Sequence, residues 1–73
     1  HDPDLVRLAR CAYDAAGATT RQDLAVETGL LLTEIDELLQ QLEDEGYVEL
    51  IGGLDRQVVL LTTRGEWLAQ EGM

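Results

Sequence analysis

"GLLLTEIDELLQQLEDEGYVEL", Gly29 to Leu50, is the stretch on which the reading of the whole chain turns. Ile35, Leu38, Leu39 and Leu42 recur in it at i, i+3, i+4 and i+7, the spacing of a helix that buries one stripe. This predicts a helix over 32–45, entered through a sharp turn at Gly29 and stopped by Gly46 just past its end. The carboxylates Glu34, Asp36, Glu37, Glu43, Asp44, Glu45 and Glu49 share the stretch with no Lys or Arg. The packing stripe explains why the helix exists, and only the opposite side bears on function.

Upstream, Pro3 suits a first helical turn, and Leu5, Leu8, Ala9, Ala12 and Ala16 fall on one face, predicting a helix over 3–16 closed by Gly17. Asp2 and Asp4 complement its positive end. Thr20 reads as the N-cap of a second helix over 20–28, with Asp23 in a capping-box-like position and Leu24, Ala25 and Thr28 turned inward. Downstream, "YVELI" and "QVVLLT" joined by "GGLDR" predict a β-hairpin over 47–62, with Val48, Leu50, Val58 and Leu60 alternating toward the core. A last helix over 63–71 is capped by Thr62 or Thr63, Thr63 with Glu66 forming a capping box, and is anchored in the core by Trp67 and Leu68. The expected fold is one domain, 1–73, mainly α with a small β-hairpin (α+β), in the order helix, helix, helix, strand, strand, helix.

At 73 residues the chain is near the lower limit for a core that stands without disulfide or metal. Its 45% apolar share is ordinary, and no apolar run approaches the ~18 residues of a membrane span. The acidic, mixed start "HDPDLVRL" does not read as a secretory leader, so a cytoplasmic chain with no membrane partner is expected. Starting at His1 rather than Met, it reads as a segment of something longer. The lone Cys11 reads as a small core residue; one cysteine excludes an internal disulfide and a cysteine-rich zinc site. With a single terminal His there is no set of nucleophile and base. The pairs Asp36/Glu37 and Asp44/Glu45 are helix neighbours that point apart, and "GGLD" lacks the strand-to-helix context of a phosphate loop. No enzymatic activity, catalytic residue, metal, cofactor or small-molecule site is expected.

Ala25, Gly29, Ile35 and Leu38 stand where a helix-turn-helix takes its small residue, its turn and its packing residues. "LEDEGYVEL" resembles the L-E-x-x-G-x-V that joins recognition helix to wing in many winged-helix regulators, and "LLTTRGEWL" resembles the L-T-x-x-G after their wing. Over Thr20 to Leu68 the chain thus resembles winged-helix transcription regulators, including the multiple-antibiotic-resistance-regulator type (MarR-type). The resemblance implies a winged helix whose third helix presents Leu32, Thr33, Asp36, Glu37 and Gln40 to a major groove. It also implies phosphate contacts from Thr19, Thr20 and Arg21 and a minor-groove contact from Arg56. The chain departs from that pattern in four ways. Leu31 replaces a capping Ser or Thr, and Asp36 and Glu37 replace Ser, Arg or Lys. The hairpin is about two residues shorter than in the MarR-type, and the long dimerisation helices are missing.

Fifteen Asp and Glu oppose five Arg, with no Lys, for a net charge of −10. DNA affinity depends on cations that displace counterions from phosphate, and carboxylates do the reverse. The same composition, acidic with no Lys and no Phe, resembles that of proteins from salt-loving organisms, where salt screens charge within a few ångströms. Two functional readings follow. In one, the domain is a protein-interaction or dimerisation module of a regulatory protein, with Leu31, Leu32, Ile51 and Leu54, and Val59 beside them, as an acid-rimmed apolar patch. That patch would suit a protein partner with a basic surface, or a second copy. In the other, it is a DNA-binding regulator domain holding double-stranded DNA with helix 3 and the wing.

Overall fold

The structure, a computed structural model, describes residues 2–53 and 56–71. Four helices surround one face of a three-stranded antiparallel sheet: α1 (Pro3–Asp14), β1 (Ala18–Thr20), α2 (Arg21–Thr28), α3 (Leu32–Asp44), β2 (Val48–Ile51), β3 (Val58–Leu61) and α4 (Thr63–Gln70), with strand order β1-β3-β2. The α+β expectation holds, with one strand more than the hairpin alone. Ala18-Thr19-Thr20 pairs with β3 in the register Ala18↔Leu60, Thr19↔Val59, Thr20↔Val58. Three residues are too few to show alternation, so only the distant partner strand makes this segment β.

Helix α1 ends two residues before the expected Ala16. The Ala16 N–H donates to Tyr13 O at 3.1 Å and the Gly17 N–H to Ala12 O at 2.8 Å, a Schellman closure with Ala16 itself left-handed at φ 62°. Ala16 is exposed and does not extend the buried stripe of Leu5, Leu8, Ala9 and Ala12. The end of α3 closes in the same way, by the Gly46 N–H on Glu43 O and the Tyr47 N–H on Leu42 O, and there the left-handed residue is Gly46 at φ 82°. Thr20 caps α2 by accepting from the Asp23 N–H at 3.1 Å, and Gly29, left-handed at φ 75°, ends that helix.

The hairpin pairs Val48↔Leu61, Glu49↔Leu60, Leu50↔Val59 and Ile51↔Val58. Directly opposed residues share a face, so Val59 and Leu61, not Val58 and Leu60, join Val48 and Leu50 on the core side. Val59 is 1% exposed and Val58 37%, which shifts the expected alternation of the second strand by one residue.

Thr62, not Thr63, is the N-cap of α4. Its hydroxyl accepts from the Gly65 N–H at 3.0 Å and lies 2.7 Å from Gly46 O, tying the start of α4 to the end of α3. The Thr63–Glu66 box is therefore absent. Leu68 anchors α4 in the core as expected, but Trp67 is 70% exposed. Gly65, Leu68 and Ala69 are the face that α4 buries, and one step along the helix turns residue 67 outward. A Cβ on Gly65 would overlap the Tyr47 carbonyl oxygen, so α4 lies against the chain where only glycine fits. The core, including Leu8, Leu24, Ile35, Leu39, Leu42, Val59 and Leu68, sits between the helices and the inner sheet face. Among the described residues no helix is long and apolar enough to cross a membrane.

Candidate functional site

The candidate residues lie on the turn from α2 to α3, the outer side of α3 and the β2–β3 loop. Arg21 is the first residue of α2 and Asp36 lies one turn into α3. The guanidinium meets the carboxylate at two points, Nε to Oδ1 at 2.7 Å and Nη2 to Oδ2 at 2.6 Å. This is the planar fork that makes Arg–carboxylate pairs directional. The Arg21 side chain is 13% exposed and that of Asp36 34%. The expected phosphate contact and the expected groove residue thus bond each other. Thr20 is likewise engaged, as the α2 cap, and Thr19 sits in β1 opposite Val59.

The remaining α3 candidates stay outward. Leu32, Thr33, Glu37 and Gln40 are exposed, and the Gln40 carboxamide donates along its own helix to Asp44 at 3.0 Å. Leu31 occupies the N-cap position of α3 and has no side chain with which to cap; the Glu34 carboxylate instead reaches back to the Leu31 N–H at 3.4 Å. Leu31 is 68% exposed and Leu32 40%, side by side where α3 begins.

Ile51, the third residue of that expected patch, is 50% exposed at the end of β2. The sheet sets it beside Val58, and Val58 beside Thr20, in one row across the outer face. Val59 leaves the proposed patch because it is in the core, and Leu54 lies outside the described residues. Arg56 is exposed on the β2–β3 loop, which turns at Gly52 (φ 89°), and it makes no ion pair among the described residues.

The other cations are spent close to home. Arg7 pairs with Asp4 at 3.3 Å and donates to Thr28 O at 3.0 Å, and Arg10 pairs with Asp14 at 3.2 Å. Arg64 lies over the Tyr47 ring, 5.1 Å from its centroid. Two features had no reading in the sequence. Glu43, counted in the sequence only as one carboxylate among seven, accepts from the Leu50 N–H at 3.2 Å and so closes part of the outer edge of β2. Tyr47, Arg64, Trp67, Leu68 and Glu71 line a groove of about 360 Å³ beside α4. The i, i+3, i+4, i+7 spacing of 64, 67, 68 and 71 would have signalled that common face.

Among the described residues no three His, Cys, Asp or Glu side chains converge as a metal site. Cys11 is half-buried against the core. Burial first, and then the hydrogen bond and charge of Glu27, push its thiol above the ordinary value. Compared with known proteins, the chain matches no family model and no curated protein.

Proposed function

We propose that this chain is a cytoplasmic winged-helix domain that docks a protein partner carrying basic and apolar residues, using the outward side of α3 and its N-terminal turn. The element order and sheet pairing support the winged-helix reading. The observation that carries the functional one is the two-point Arg21–Asp36 pair. It occupies the cation at the start of α2 and leaves Leu31, Leu32, Thr33, Glu34 and Glu37 exposed around the start of α3. Apolar side chains give such a contact its desolvation energy, and the acidic rim favours a basic partner and discourages a second copy of a chain with net charge −10 at this face.

Titration with a lysine- and leucine-rich amphipathic peptide, followed by amide chemical shifts, tests this. Changes concentrated at Leu31–Glu37 support it, and changes spread evenly over the acidic surface overturn it. DNA binding is the second reading, favoured by the exposed Arg56. It requires retardation of duplex DNA at ~20 mM salt, where attraction to phosphate is barely screened, and loss of that retardation in Arg56→Ala.

A further inference from the structure

We propose that the α4 face is a self-complementary interface that pairs two copies of this chain, α4 against α4 in antiparallel orientation. The knob is Trp67, an indole left 70% exposed in a protein with no other tryptophan. The hole is the adjoining groove of about 360 Å³, floored by Tyr47 and Leu68, both buried. Knob and hole on one surface are what a two-fold contact needs, since each copy supplies both.

The charges are placed for the same symmetry. Arg64 and Glu71 are seven residues apart on the groove side, about 10 Å along the helix axis, and Trp67 and Leu68 lie midway between them. A two-fold axis at that midpoint sets Arg64 of each copy opposite Glu71 of the other. Arg64 has no carboxylate partner among the described residues; stacking on Tyr47 leaves its N–H edges available to an acceptor. Glu71 already has a contact within its own chain, and a carboxylate has room for a further donor. Each copy carries a net charge of −10, so the pair strengthens as salt screens the repulsion. The contact is one short helix per copy and hence weak. This proposal uses no residue of the α3 docking face and stands or falls apart from it.

Sedimentation equilibrium of the whole chain from roughly 10 μM to 1 mM, in about 0.3 M salt to shorten the Debye length, tests it. The expected mass rises from 8.1 kDa toward twice that value, and the Trp67 emission moves to shorter wavelength over the same concentrations. Arg64→Glu and Glu71→Arg each stay monomeric. The first variant carries acid at both ends of the α4 face and the second carries base at both. Mixed in equal amounts they associate, because each of the two contacts across the axis again joins a carboxylate to a guanidinium, and the double variant associates with itself for the same reason. Far-ultraviolet circular dichroism confirms that the variants are folded, and the wild-type emission test needs no variant at all. A monomer throughout the range overturns the proposal. So does association that leaves the Trp67 emission unchanged, or a mixture that fails to associate when both variants are folded.

Discussion

Arg21 and Asp36 bridge the first turn of α2 to the second turn of α3 by two parallel hydrogen bonds, at 2.7 and 2.6 Å, with the arginine side chain largely withdrawn from water. The pair links the two helices from outside the core. It also decides which charges the surface can offer a partner, since neither group is presented alone.

Asp36→Ala leaves a largely buried guanidinium without this carboxylate, and a loss of about 1–3 kcal/mol in urea unfolding is expected. The partial exposure of Asp36 places the pair between surface bridges and fully buried ones. A double-mutant cycle with Arg21→Ala should accordingly return a coupling of about 1–2 kcal/mol. A coupling near zero would mean that the pair forms without holding α2 to α3.

Gly65→Ala sets a methyl group into the Tyr47 carbonyl, a backbone atom that can yield only if α4 moves off the sheet. We expect about 3 kcal/mol or more of destabilisation, at the upper end of overpacking costs. Gly53→Ala, with nothing within 4 Å of the added carbon, serves as the control and should stay within about 0.5 kcal/mol of wild type.

Ala16 adopts the left-handed conformation that α1 needs for its closure, and a side chain there costs about 1 kcal/mol. Ala16→Gly removes that strain, partly offset by the freer unfolded chain. The expected gain is about 0.5–1 kcal/mol, read as a rise of roughly 3–6 °C in Tm for a domain of this size.

Glu43→Ala takes the acceptor from the Leu50 N–H at the outer edge of β2. Loss of about 1–2 kcal/mol is expected, together with faster aggregation on mild heating, because the edge is opened to another strand. Glu43→Gln keeps an acceptor and should recover at least half of the loss. If Glu43→Ala matches wild type in both stability and aggregation, the carboxylate is only part of the solvated acidic surface.

Burial and Glu27 raise the Cys11 thiol, Asp14 adds slightly, and Arg7 opposes them. The folded chain therefore holds the thiol proton to higher pH than the unfolded chain does. This contribution to stability is complete below the unfolded thiol pKa and is lost as pH rises through the folded one. Urea midpoints should begin to fall as pH rises past the ordinary thiol pKa, and fall less in Cys11→Ala. Reaction of the native chain with a thiol reagent should be slow at neutral pH and faster in Glu27→Gln.

Much of the fold was legible because its causes are local. The α3 stripe, the Thr20 cap, the Gly29 and Gly46 turns and the inward Leu68 follow from spacing and from what single residues can do with their own backbone. The residues of LEDEGYVEL and LLTTRGEWL have physical jobs in this fold: Leu42 and Val48 in the core, Glu43 on the strand edge, Gly46 in the left-handed turn, Thr62 as a cap, Gly65 at a close approach. The outward position of Leu32, Thr33, Glu37 and Gln40 was equally readable, being the side of α3 opposite its stripe.

What the tertiary structure alone decided depends on partners distant in the chain. Thr20 meets Val58 only because β3 folds beside it, and that pairing turns a polar tripeptide into a strand. Register with β2 and β1 then chooses Val59 over Val58 for the core, although the two valines are neighbours in sequence. Trp67 looked like an anchor because it is large and apolar, yet the close approach at Gly65 sets the rotation of α4 and leaves the indole outside. Arg21 and Asp36 each suited a role toward DNA when read singly, and their fork exists only once α2 and α3 are packed. Helix starts and stops are settled within a turn of chain, whereas the rotation of α4, side-chain pairing and strand register are settled by which distant surfaces bury together.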